Sequence, residues 1–209
     1  MIKIIGDYMN ILFLSNNSIT DKLFDWLKND CNENVIKYDK KIDLGIVKTL
    51  KVDFIISYNY RYYISKDIID YLNNNIINLH ISLLPWNKGA YPNVWSFLDE
   101  TPKGVTIHLV NEDIDGGDIL LQKEVFIDES KETLRSSYNL LHIEMQKLFK
   151  DNWNNIKNKK IQPRPQCKGG SFHTIADFKK IENIIYSWDM PIRELKKMYR
   201  KMVGDNYGE

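Results

Sequence analysis

Four short apolar runs, Ile11–Leu14, Val35–Tyr38, Phe54–Tyr58 and Ile76–His80, recur along the N-terminal part of the chain with helical patterns between them. No other feature constrains the fold as strongly. After the first run, Leu23, Phe24, Trp26 and Leu27 share one helical stripe behind Thr20 or Asp21, either of which can cap a helix. Before the fourth, Ser65 can cap a helix carrying Ile68, Ile69 and Leu72. Continuous apolar runs suit strands buried on both faces, and strands separated by helices imply right-handed crossovers into a parallel sheet. The expected fold is α/β: an open, mostly parallel, twisted sheet with helices on both faces. Ligands of such sheets bind beyond the carboxyl ends of the strands, which directs attention to His80.

The pattern then changes. A turn-rich loop precedes a helix predicted around Asn93–Leu98, followed by strands at Val105–Val110 and Ile119–Phe126. The intervening Asp115-Gly116-Gly117 is a turn signal, because glycine accepts positive φ, so the two strands read as an antiparallel edge. From Lys131 a long helix is predicted, with Leu134, Tyr138, Leu141, Met145, Leu148, Phe149 and Trp153 as its core stripe. Beyond Pro163 and Pro165 the chain turns polar, with short helices near Asp177–Ile185 and Pro191–Met202. The expected organisation is a catalytic domain over residues 1–162 and a short C-terminal appendage over 163–209, packed on the same domain or separate from it.

Charge narrows the partners. Basic and acidic side chains number 29 and 28, for a net charge of +1, so no overall field draws this chain to a nucleic-acid backbone or an anionic membrane. The apolar runs are far shorter than the roughly 20 residues of a membrane helix. Cys31 and Cys167 are too far apart in sequence to suggest a disulfide framework, and no cluster has metal-ligand spacing, so no metal is expected. The opening Met1–Tyr8 lacks the character of a secretory signal, and Met9 is an alternative start; the expected location is the cytoplasm.

Asn78 and His80 lie two apart on a predicted strand, so their side chains leave the same face near its carboxyl end. Alone, such a pair would merely satisfy backbone groups. Its setting is more specific: Asn78-Leu79-His80-Ile81-Ser82-Leu83-Leu84-Pro85 with Gly89, then Gly104-Val105-Thr106-Ile107-His108, then Asp115-Gly116-Gly117-Asp118-Ile119-Leu120. This arrangement, from about Asp53 to about Val125, resembles the folate-dependent formyltransferase family. That family includes the glycinamide ribonucleotide, methionyl-tRNA and nucleotide-sugar N-formyltransferases. The resemblance implies a Rossmann-like formyltransferase fold, 10-formyltetrahydrofolate as formyl donor, and Asn78, His80 and Asp115 as catalytic residues. Acceptor amine attack on the formyl carbon gives a tetrahedral oxyanion, which Asn78 and a donating His80 can stabilise while Asp115 orients His80 and relays the proton.

The resemblance further implies that the folate ring is held by Tyr58, Asn59, Tyr60, Arg61 and Tyr62 and by Asn111, Glu112, Asp113, Ile114 and Asp115. Apolar and aromatic walls with a few backbone donors suit a flat heteroaromatic ring, although the tyrosines also have a plain packing role open to them. His108 is read as structural and His142 as packing or solvated; His173, in a glycine-flanked loop, stays open between structure and ligand binding.

The resemblance leads to a small amine as the expected acceptor. The tRNA-formylating branch carries an additional basic C-terminal domain for which 209 near-neutral residues leave no room, so tRNA is not expected. In the glycinamide ribonucleotide branch the first strand runs into a glycine-rich phosphate loop, whereas Ser15-Asn16-Asn17-Ser18 stands here. A nucleotide-linked amino sugar is therefore the expected acceptor, with a glycinamide ribonucleotide-type enzyme or a non-catalytic folate-binding relative as alternatives. Tyr91 and Trp95 can stack on a base or sugar face, Trp95 being equally readable as core. Lys88 can meet a diphosphate or remain solvated. A homodimer is left open.

Overall fold

The computed structural model describes residues 9–31 and 33–204. The opening segment read above for signal character, and the last residues of the appendage, lie outside them. In chain order the elements are β1 (Asn10–Leu14), α1 (Asp21–Asn29), β2 (Asn34–Tyr38), α2 (Leu44–Thr49), β3 (Phe54–Ser57), α3 (Lys66–Leu72), β4 (Ile76–His80), β5 (Lys88–Gly89), α4 (Pro92–Leu98), β6 (Gly104–Leu109), β7 (Ile119–Glu124), α5 (Leu134–Lys157), β8 (Phe172–His173), α6 (Ile175–Ile181) and α7 (Ile192–Val203). Six strands form a sheet of order β2-β1-β3-β4-β6-β7, the α/β architecture that the alternating runs imply.

The chain divides into two compact units. The first comprises residues 1–80 and 107–118, the second residues 81–106 and 119–209. In the first unit β1 pairs in parallel with β2 and β3, and β3 with β4, so that Leu14 lies beside Ser57 and Ser57 beside Asn78. The strands are nearly continuous apolar runs because helices cover them. Leu12, Leu14, Ile55 and Ile76 pack with Ile42, Val47, Val52, Ile64, Ile68 and Leu72 in one cluster. Among these, α2 has no counterpart in the sequence expectation: six residues are too few to display a period, and its signal is the Asp43 side chain accepting from Ile46 N at 2.9 Å.

Two helix starts differ from expectation. Thr20 precedes α1 but caps nothing, because its hydroxyl is engaged by Ser15 Oγ at 2.7 Å and by the Asn17 carbonyl at 2.8 Å. Asn17 instead caps a short 3-10 turn, Ser18–Thr20, that leads into the helix. Ser65 likewise stands at the cap position of α3 without capping it, its hydroxyl bonding the Asp67 carboxylate. A side chain that can cap has other acceptors within reach, and here those acceptors win.

The second unit is organised by α5, which begins at Leu134 rather than Lys131, where Thr133 and Ser136 form a capping box. Its buried stripe is Leu134, Ser137, Leu141, His142, Met145, Phe149, Trp153 and Ile156. The amide of Leu109 donates to Asp118 O and that of Val125 to Lys103 O, so β6 and β7 run antiparallel as predicted. Residues 163–209 fall in this unit together with residues 81–106. Among the described residues no helix is long and apolar enough to cross a membrane.

His142 is 1% exposed, and burial lowers its pKa to about 3. An imidazole held neutral in the fold but free to protonate at its ordinary value of 6.5 when unfolded contributes stability that is complete above about pH 6.5. That contribution is lost as the pH falls toward 3, because the unfolded chain binds the extra proton. Urea unfolding of the wild type between pH 6.5 and 5 should show a loss approaching about 1.4 kcal/mol per pH unit from this group. His142→Leu should lose measurably less over the same interval; identical pH slopes would remove His142 as the cause.

Candidate active site

The first unit gathers four polar side chains at the carboxyl ends of two strands. Asn78 and His80 leave the same face of β4, and His108 stands near the end of β6. Val110 N donates to Ile76 O at 2.9 Å and Leu109 N to Asp118 O at 2.9 Å, closing the loop that carries Asp115. Asn78 Nδ2 donates to Asp115 Oδ1 at 2.9 Å and lies 3.2 Å from His108 Nε2. The same carboxylate faces both imidazoles, His80 Nδ1 at 3.5 Å and His108 Nε2 at 3.4 Å, and all three side chains are at most 10% exposed.

These contacts fix hydrogen positions. His108 Nδ1 is 2.7 Å from the Leu109 carbonyl, which can only accept, so Nδ1 carries a hydrogen, and in the neutral ring Nε2 accepts from Asn78. Asn78 therefore commits one amide hydrogen to His108 and the other to Asp115. Its expected contact with an oxyanion requires that one of these be exchanged. His108, read from sequence as structural, joins this cluster. The only signal was its position two residues after Thr106, which gives no hint of what the next loop brings against it.

The turn works differently from its sequence reading. Positive φ falls on Asp115 itself, at 50°, and not on Gly116 or Gly117. The glycines are needed for space: a Cβ on Gly117 would lie 1.9 Å from Leu109 O, and one on Gly116 would lie 2.5 Å from Asp113 Cβ. Asn111 Oδ1 accepts from Asp113 N at 3.1 Å, and Gly116 N donates to Asp113 O at 3.1 Å. Tyr63 donates to Glu112 O at 3.0 Å, and Lys66 pairs with the Glu112 carboxylate, so the loop is tied to the start of α3. Ile114 remains exposed.

The aromatic segment before α3 is divided in its roles. Tyr58 is wholly buried; Tyr60 donates to Lys40 O at 2.7 Å and accepts from Ile42 N at 3.1 Å, and burial raises its pKa. Tyr62 packs edge-on against Tyr60 and is partly exposed, while Asn59 takes φ 53° and its carbonyl accepts from Asn16 N at 3.1 Å. Arg61 N donates to Asn16 Oδ1 at 3.0 Å. Its side chain lines a cavity of about 470 Å³ with Ser15, Asn16, Asn17, Ser18, Asp21, Lys37 and Asp39, residues that the sequence leaves on separate elements.

Lys88, Tyr91 and Trp95 belong to the second unit. Lys88 pairs with Phe172 through β5 and β8. Tyr91 stacks on Phe178 with centroids 3.5 Å apart, and Trp95, 5% exposed, stacks on His173 at 3.9 Å. Among the described residues no group of three His, Cys, Asp or Glu side chains is placed to hold a metal ion.

A family model described as formyl transferase matches residues 16–151. The methionyl-tRNA formyltransferase of Thermodesulfovibrio yellowstonii is 31% identical over 157 residues, which are 74% of this chain and 49% of that protein. The chain thus spans about half the length of the curated relatives it matches. The structure of the formyltransferase PseJ from Anoxybacillus kamchatkensis, in complex with UDP-4,6-dideoxy-4-formamido-L-AltNAc and tetrahydrofolate, is 44% identical with a TM-score of 0.82 over 88% of this chain and 96% of that one. A sugar N-formyltransferase from Shewanella sp FDAARGOS_354, 24% identical, shares the fold with a TM-score of 0.69 over 83% of this chain and 79% of that one.

Gly117→Ala tests the close approach on which the turn depends. Forcing a methyl against the Leu109 carbonyl should cost about 1–3 kcal/mol in urea unfolding. Wild-type stability would mean that the carbonyl can move aside.

Proposed function

The chain belongs to the formyl transferase family, and on that premise we propose that it is an N-formyltransferase that moves the formyl group of 10-formyltetrahydrofolate onto the amine of a nucleotide-linked amino sugar. The observation that carries the chemistry is the closed network of Asn78, His80, His108 and Asp115. The likeness to PseJ supports the acceptor class and narrows it to a UDP-linked 4-amino-4,6-dideoxy sugar. The catalytic domain is proposed over residues 1–162, with 163–209 as appendage.

The donor supplies an acyl group one carbon long, activated by its nitrogen leaving group. Tyr62, Tyr63 and Ile114 are exposed, and the Tyr63 hydroxyl is tied to the 111–117 loop; exposed aromatic and apolar side chains of this kind suit a pteridine ring. Amine attack places negative charge on the formyl oxygen and releases a proton from the amine. Asp115 faces the Nδ1 side of His80, and when the ring carries hydrogen on both nitrogens its Nε2–H is the donor toward the developing oxyanion. Asn78 joins it when one of its two amide hydrogens is released by His108 or Asp115. Asp115, the carboxylate that faces all three side chains, is the group able to take the proton and, directly or through water, pass it to the folate nitrogen as the adduct collapses, the carbon–nitrogen bond to the folate breaks and tetrahydrofolate leaves. No covalent enzyme intermediate is required.

A second acceptor stays under test because named relatives at about 30% identity are methionyl-tRNA formyltransferases. Purified protein supplied with 10-formyltetrahydrofolate should release tetrahydrofolate and add one formyl mass to a UDP-linked 4-amino-4,6-dideoxy sugar, and not to methionyl-tRNA or glycinamide ribonucleotide. Transfer to either of the latter alone would overturn the acceptor reading. His80→Ala and Asp115→Asn should each lower kcat by about 10²–10⁴-fold with an unchanged circular dichroism spectrum. Full activity in both variants would overturn the assignment of the site.

A further inference from the structure

The loop that carries His173 is fixed more tightly than a surface connection requires. Lys88 and Gly89 pair in parallel with Phe172 and His173. Lys88 N donates to Ser171 O at 2.9 Å and Ala90 N to His173 O at 2.8 Å. Gly89 and Gly170 take positive φ and leave no space for a side chain: a Cβ would stand 2.3 Å from His173 O and 2.1 Å from Pro85 O respectively. Fully buried Asn87 accepts from Thr101 Oγ1 at 2.6 Å and donates to Asp99 Oδ2 and Ser171 Oγ, both at 3.3 Å.

The consequence is an imidazole held at one edge and on one face. His173 Nε2 lies 2.7 Å from Asp99 Oδ2, and the ring rests face to face on the Trp95 indole, 3.9 Å away and within 3° of parallel. The carboxylate can only accept, so Nε2 carries a hydrogen, and in the neutral ring Nδ1 presents a lone pair. Nδ1 has no hydrogen-bond partner among the described residues, and the side chain keeps 17% of its surface in contact with solvent. The second orphan is Trp95 Nε1, a buried N–H donor without a partner in the ring that supports the imidazole. A histidine that only cemented the loop would use its Nε2 and its ring face; it would leave the solvent-facing Nδ1 without a role.

We propose that His173, held by Asp99 and Trp95 as positioning residues, reads the acceptor: Nδ1 accepts a hydrogen bond from an uncharged N–H or O–H group of the nucleotide-linked amino sugar. This assignment rests on the acceptor class proposed above. A phosphate oxygen is a poor match, since it too is an acceptor and Asp99 sets a negative charge behind the ring. The matching donors on such an acceptor are the imide N–H of a pyrimidine base and the hydroxyls of the sugars. The exposed, nearly parallel rings of Tyr91 and Trp188, centroids 6.4 Å apart, belong to the same unit and offer the flat face that either would lie against.

Two substitutions separate the nitrogens. His173→Gln extends an amide to the Nε2 position, keeps the Asp99 contact and deletes Nδ1, whereas His173→Asn keeps a polar atom near Nδ1 and forfeits Asp99. His173→Gln should raise the acceptor KM about tenfold or more, leaving the folate KM and the melting temperature near wild type, with His173→Asn less impaired in KM but less stable. UDP as competitor locates the donor: a parallel rise in its Ki supports the nucleoside, base or ribose, and an unchanged Ki with a raised acceptor KM supports a hydroxyl of the amino sugar. A His173→Gln enzyme with wild-type acceptor KM, or KM following stability across the two variants, overturns the assignment. If the wild type formylates no nucleotide-linked amino sugar, the acceptor reading fails first and takes this assignment with it.

Discussion

A carboxylate buried at the end of a sheet is costly unless donors surround it, and the first unit is arranged to surround Asp115. Asn78 comes from β4, His80 from two residues further along the same face, and His108 from β6. Asn78 donates to that carboxylate and lies against His108, and His80 faces the carboxylate, so the two strand ends and the turn are registered against one another by hydrogen bonds as well as by packing. The turn in turn depends on absent atoms. Two consecutive glycines let its main chain lie against Asp113 and Leu109, and the left-handed conformation falls on an aspartate, one of the few residues that adopt it at low cost. The place of Asp115 beside His80 thus rests on a steric allowance two residues from Asp115.

In the second unit the C-terminal segment is part of the architecture. Arg164 bridges Ile119, His173 pairs with Gly89, and Phe178, Ile181, Ile184, Met190, Ile192 and Leu195 are buried. The ion pairs among Lys103, Glu129, Lys196, Glu100 and Arg200 are partly exposed and worth at most about 1 kcal/mol each, so apolar burial holds the segment. In the proposed reading this unit also carries the groups that read the acceptor. The chemistry of transfer and the choice of acceptor would then lie on different parts of the chain.

Most of the sheet was legible because burial on both faces forces continuous apolar runs, and β4 begins and ends where its run does, at Ile76 and His80. The long helix was legible through its period, although its start was misplaced by three residues because Thr133 and not the preceding charge cluster caps it. Short elements left no such trace: α2 is a single turn and a half, and the pairing of β5 with β8 joins residues 84 apart in the chain. Propensity and period are local, and these elements exist only through distant partners.

The sequence by itself determined that strands alternate with helices, that Asn78 and His80 share one strand face, and that a tight turn bearing Asp115 follows the next strand, since each is set by spacing along the chain. Only the tertiary structure decided that His108 enters the same cluster, that both hydrogens of Asn78 are already engaged, and that the two turn glycines answer a demand for space and not for positive φ. It also decided that His173 is clamped between Asp99 and Trp95. These are matters of which groups meet across a fold, and hydrogen-bond partners and excluded volume are fixed in three dimensions.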